Sequence, residues 1–307
     1  LLLIKIDRYS VRVDRWSAVT FFLDSLFKGE YPYAAHTHVC DTNFASPFPV
    51  WHLINIPFYL LGDVGYGLIF FLLLTYYSLL RYTNSHRYPF IFVALLFLSP
   101  AYWWEVSVRS DSLSNALLVF NTILYYNAKK CSLNKNLGFS IIVCGLIAST
   151  RLSAILPLAL YFFSDYIRLP LKRATLFPLG ILGIMFIMFS PFIFWDTHGW
   201  IFFHRNPFMS QTSIGNSYVL ILMMAVGVFI SLRIKHQRSF FILTSSFMFL
   251  FILFSQIGLV LTRGIVTSFF EDSIYDISYF TLAFPYTLMV LSSESFFKKN
   301  QSLTSSI

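Results

Sequence analysis

The stretch "TLFPLGILGIMFIMFSPFIFW", residues 175–195, carries no charged side chain over twenty-one positions. As a helix rising about 1.5 Å per residue it spans roughly 30 Å, the thickness of a bilayer's hydrocarbon core. Eight further apolar runs lie at about 64–82, 89–108, 111–128, 137–150, 152–167, 216–232, 239–262 and 278–296. The chain therefore reads as all-α, a polytopic transmembrane helical bundle with nine spans. Two of the runs, 137–150 and 152–167, are short and broken by Thr150-Arg151, as in a tilted hairpin that does not fully cross.

Composition agrees with that reading. Of 307 residues, 57% are hydrophobic and only 12% charged, and the mean hydropathy is +0.67. Soluble domains carry about 25% charged residues, so a soluble class is excluded. The net charge of +8 does not indicate nucleic acid, because the bases cluster in short loops between apolar runs. Three cysteines, Cys40, Cys131 and Cys144, form neither a CxxC pair nor an even framework, which argues against a disulfide scaffold or a zinc module.

Loop charges set the expected orientation. If "RYTNSHR" (81–87) is cytoplasmic, the same side collects 13 of the 22 Lys and Arg but only Asp165 and Glu294 among 14 acids. The other side then holds nine bases and twelve acids. Basic loops stay cytoplasmic, so residues 7–63 are expected outside. The opening "LLLIKIDRYS" is too short to span and reads as the outer end of a first helix lying upstream. Residues 1–63 thus form the end of that span plus an extracytoplasmic loop, and 64–307 form the bundle.

Within the loop, Trp16, Val19, Phe22, Leu23 and Leu26 fall at helical spacing over 15–28, with Asp24 and Lys28 on a wet face. This predicts an interfacial helix closed by Gly29 as C-cap and Pro32 as a stop. A second apolar stretch, "PFPVWHLINIPFYLL" (47–61), reads as another helix at the interface. Asp14 stands directly before the first of these helices.

An acid, an aromatic helix, the turn "GEYPY" (29–33) and a Pro-rich apolar stretch together resemble the first outer loop of GT-C superfamily glycosyltransferases. The resemblance extends over "VRSDSLSNALLVF" (108–120), "TRLSAILPLAL" (150–160), "SPFIFWDTHGWIFFHRNPF" (190–208) and "ISYFTLAFPYTLMVL" (277–291). It is nearest to the polyprenyl-phosphate-mannose-dependent type, without a large soluble domain. It implies a multi-pass enzyme of a cell inner membrane or its equivalent, working on the extracytoplasmic face. Such an enzyme moves a hexose, mannose by resemblance, from a polyprenyl phosphate sugar to a glycan or lipid-linked acceptor. The partners expected are those two substrates and membrane lipid.

Inverting transfer needs a base that takes the acceptor proton, and Asp14 matches the family's acid, with Asp7 as the rival. The departing lipid phosphate needs cations in place of a general acid. Candidates are Arg109, Arg151, His204, Arg205 and Arg263, of which Arg205 and Arg263 are preferred for the phosphate because guanidinium forks match it. Asp111 and Asp41 are expected to orient sugar hydroxyls, and Tyr33 to sit against the substrate. Lipid headgroups are the competing partners for these arginines. No cofactor is expected: "HTHVCD" (36–41) supplies chemically competent zinc ligands but lacks a recognised spacing. The rival function is a transporter or flippase of lipid-linked sugars, which predicts inverted repeats and charges near the bilayer midplane. Here the ionisable residues gather at the ends of the runs.

Overall fold

The computed structural model describes residues 2–11, 13–40, 43–196, 200–212, 217–234, 236–268, 277–294 and 296–297. Among them the chain is helical, with one isolated antiparallel bridge between His36 and Phe44. A short α1 (Leu2–Lys5) and a 3₁₀ turn (Arg8–Ser10) lead into α2 (Arg15–Lys28) and α3 (Pro49–Leu60). The bundle follows: α4 (Tyr66–Thr83), α5 (Arg87–Leu98), α6 (Pro100–Ser107), α7 (Ser112–Lys129), α8 (Leu137–Ala148), α9 (Leu152–Tyr166) and α10 (Leu171–Ile193). Two short helices, α11 (Ile201–His204) and α12 (Pro207–Thr212), precede α13 (Ser217–Arg233) and α14 (Gln237–Arg263). A 3₁₀ segment (Ile277–Ala283) and α15 (Phe284–Ser292) complete the set.

All nine apolar runs are helical, but they differ in reach. Among the described residues only α10 and α14 are single helices long and apolar enough to cross a membrane, and α5 with α6 makes a third if that bent pair counts as one span. The run expected at 89–108 is bent by 75°. Ser99 is extended (ψ 122°) and Pro100 opens α6, because the residue before a proline is driven out of the helical region. The run expected at 278–296 likewise divides, into a 3₁₀ segment and a nine-residue helix. The short 137–150 and 152–167 runs become α8 and α9, separated by extended Arg151 (φ −160°, ψ 152°).

The most enclosed helix is α7, twelve of whose 18 residues are buried. Three asparagines six positions apart on it point in different directions around the axis, and each ties it to a neighbour. Asn115 Nδ2 donates to Thr150 Oγ1 (2.9 Å), Asn121 Nδ2 to Thr75 Oγ1 (3.0 Å), and Asn127 Oδ1 accepts from Tyr161 and Gln237. The closest helix contact is between α8 and α10. A Cβ on Gly145 would lie 2.6 Å from Ile184 Cβ, and one on Gly180 would lie 2.7 Å from Ile141 Cγ2. Small residues permit such an approach where lipid tails offer helices no hydrophobic reason to associate.

The expected helix over 15–28 forms with its predicted end. Gly29 is left-handed (φ 75°), its N–H bonds Leu26 O, and Glu30 N–H bonds Ser25 O. Its apolar face, however, lies on protein rather than at an interface. Trp16, Val19, Phe22 and Leu23 are fully buried, with Phe22 and Asp24 meeting His52 and Tyr59 of α3. In turn α3 is fastened to the bundle: Phe48 N–H donates to Thr150 O (2.9 Å) and Val50 N–H to Ser149 O (3.1 Å).

Candidate functional site

Loops expected on one side of the membrane meet at one end of the bundle. Residues 2–63 touch the 105–112, 149–152, 205–211 and 279 regions there, through Arg109, Phe48, Tyr31, Gln211 and Arg15. At the opposite end Tyr82 and Asn127 meet Gln237, Arg173 meets Asn134, and Arg238 faces Glu294. The candidate site lies at the first end, around Asp14.

Asp14 occupies the N-cap position of α2, and its carbonyl accepts the Ala18 N–H (2.8 Å). An aspartate there ordinarily turns its carboxylate back onto the free N–H groups of the first turn. This one does not. Half-buried, its Oδ2 accepts instead from Asn43 Nδ2 (3.2 Å) and Thr37 Oγ1 (3.4 Å). Both donors belong to the loop closed by the His36–Phe44 bridge and by Thr37 N–H to Asn43 O (2.8 Å). The carboxylate is therefore held by neutral groups outside its own helix.

Three arginines lie at the same end of the bundle. Arg15, the next residue, is buried; its Nη1 donates to Ser110 Oγ (3.1 Å) and Ser112 Oγ, and its guanidinium lies 4.5 Å over the Tyr279 ring. Between those two serines sits Asp111, whose Oδ2 accepts from Arg151 Nε (3.0 Å) and Nη2. Asp111 Oδ1 is buried and has no partner. Glu105 is fully buried and accepts the Leu113 N–H (3.2 Å) at the start of α7. Arg205 reaches the same 36–44 loop from another direction: Nη1 donates to His36 Nε2 (3.3 Å), the guanidinium lies over Phe44, and its carbonyl accepts the Tyr31 hydroxyl (2.9 Å). Burial holds the Tyr31 hydroxyl protonated, raising its pKa well above the ordinary tyrosine value.

The other predicted residues take varied places. Asp7 is exposed and caps the local turn, accepting from Tyr9 N–H (3.1 Å). Arg109 is buried and occupied, its Nε bonding Asp63 Oδ2 (2.9 Å), Nη1 bonding Ser107 O, and Nη2 bonding Leu3 O and Ile6 O. It fastens three chain segments together instead of facing a pocket. Tyr33 is fully buried against Phe22 and Phe192 and donates to Pro47 O (3.2 Å). His204 is exposed at the end of α11 and Arg263 is exposed at the end of α14. Asp41 lies outside the described residues.

The zinc-like "HTHVCD" set does not converge. His36 faces Arg205, while both ring nitrogens of His38 are bonded, Nδ1 to Ser17 Oγ (2.7 Å) and Nε2 to Val11 O (3.1 Å). Among the described residues no three His, Cys, Asp or Glu side chains come together as a metal cage. Sequence reasoning missed Arg15, Thr37, Asn43 and Asn115. For Arg15 a signal existed: it falls four and seven positions before Val19 and Phe22, on the buried stripe of its helix. Comparison with protein-family models, with curated proteins and with solved structures finds no match.

Proposed function

We propose that this protein is a multi-pass membrane glycosyltransferase of the GT-C kind, its Asp14 end extracytoplasmic, moving a hexose from a polyprenyl phosphate donor to a hydroxyl acceptor with inversion. Mannose is the sugar suggested by the sequence resemblance. The observation that carries the reading is the orientation of Asp14. A carboxylate freed from its capping duty and half-buried keeps lone pairs with which to take a proton. Among the described residues the two side chains bonded to it, Thr37 and Asn43, are neutral.

Phosphate departure falls to Arg15 and Arg205 in this scheme. Arg15 follows Asp14 in sequence and Arg205 contacts His36 of the loop beside it, and guanidinium groups stabilise the charge that grows on the leaving oxygen. Arg151 is neutralised by Asp111, so its role is to fix Asp111 rather than to meet phosphate. Asp111 Oδ1, lacking a protein partner, is the acceptor best placed to receive a sugar hydroxyl.

Purified protein incubated with labelled polyprenyl phosphate mannose and a hydroxyl acceptor is expected to release the lipid phosphate. Asp14→Asn should lower transfer by about 10²-fold or more while keeping the thermal midpoint in detergent. Full activity of that variant refutes Asp14 as the base. A wild-type protein that binds the donor yet leaves it intact, moving it between leaflets of a vesicle, favours the flippase reading.

A further inference from the structure

His38 is built into the support of Asp14. It follows Thr37 in the loop whose Thr37 and Asn43 side chains hold the carboxylate. Its ring packs 4.9 Å from Trp16 and 5.9 Å, edge-on, from Tyr9. A carbonyl oxygen only accepts, so the bond to Val11 O assigns the ring proton to Nε2. In the neutral ring Nδ1 is then the acceptor, and the Ser17 hydroxyl is its donor.

Ser17 is fully buried and has one hydroxyl proton with two claimants. Its Oγ lies 2.7 Å from His38 Nδ1 and 2.9 Å from the Asp14 carbonyl, and it also accepts the His38 backbone N–H (3.3 Å). A neutral His38 takes that proton.

We propose that His38 is a positioning residue for Asp14: its ring, clamped between Ser17 and Val11, sets the adjoining Thr37 against the carboxylate. The inference rests on the reading of Asp14 as the base.

The test compares wild type, Asp14→Asn, His38→Leu and His38→Gln with polyprenyl phosphate mannose as donor, each checked for an unchanged thermal midpoint. Glutamine offers both a donor for Val11 O and an acceptor for the Ser17 hydroxyl, so His38→Gln should keep more activity than His38→Leu. His38→Leu should lower kcat about 10- to 100-fold with KM little changed, as expected for a misplaced base. Nitrogen-15 spectra of histidine-labelled protein should show one Nε2–H tautomer whose signal vanishes in His38→Gln. An inactive Asp14→Asn beside a His38→Leu with wild-type kcat overturns this inference alone. An active Asp14→Asn overturns the base assignment and this inference with it, and an Nδ1–H tautomer overturns the clamp.

Discussion

His52 lies flat on Phe22, with ring centroids 3.6 Å apart and planes 8° from parallel, and its Nε2–H donates to Pro47 O (3.2 Å). Burial lowers its pKa from 6.5 to about 3; the bond to Pro47 opposes that shift and the nearby Arg151 charge adds to it. The folded value lies below the unfolded one, so the unfolded chain binds this proton first. Stability tied to His52 is thus complete above about pH 6.5 and is lost progressively as pH falls toward 3, by an amount on the order of a few kcal/mol. Thermal midpoints measured in detergent between pH 7.5 and 4.5 should fall more steeply for wild type than for His52→Gln. Equal slopes would show that His52 is solvated. The Asp111–Arg151 pair offers a second residue-level expectation. Asp111→Ala leaves a buried guanidinium uncompensated and should cost about 3–5 kcal/mol, whereas replacing both partners with apolar residues should recover much of that loss. Chemical denaturation of the single and double variants measures the difference.

At the scale of elements, α2 was readable to its last residue because periodicity and a glycine stop point to the same boundary. What α2 covers was not readable: an apolar stripe facing lipid and one facing α3 have the same spacing, and only the partner, His52 and Tyr59, distinguishes them. Pro100 misled in the opposite way. A proline inside an apolar run is compatible with a kink in one helix or the first turn of a new one, and Ser99 in the extended region decides for the second. Glycine spacing gave no hint of how closely α8 and α10 approach. Gly145→Val should push α8 away from Ile184 and destabilise the protein by about 1–3 kcal/mol. Gly183→Ala, on the same helix as Gly180 but with nothing within 4 Å of its Cβ, should be neutral or stabilising by up to about 1 kcal/mol. Thermal midpoints of the two variants check this contrast.

At the scale of the molecule, loop charge was the most legible signal, because like-sided loops do gather at common ends of the bundle. The site was legible only in part. Asp14 announces itself by standing before a helix, whereas Thr37 and Asn43 are ordinary polar residues until the fold brings them to it. Cysteines provide a check of the proposed orientation. Cys40 is exposed at the Asp14 end, Cys131 is half-buried at the other end and Cys144 is buried. In intact cells a membrane-impermeant maleimide should label Cys40, with Cys131 labelled only after permeabilisation; the reverse pattern would invert the molecule. The bonds from Phe48 and Val50 to the α8–α9 turn carry a further consequence. That turn also supplies Arg151, so the start of α3 is coupled to the Asp111–Arg151 ion pair. Under the proposed function, this coupling would ease if the pair were removed, so Asp111→Ala with Arg151→Ala would loosen α3 as well as the α8–α9 turn.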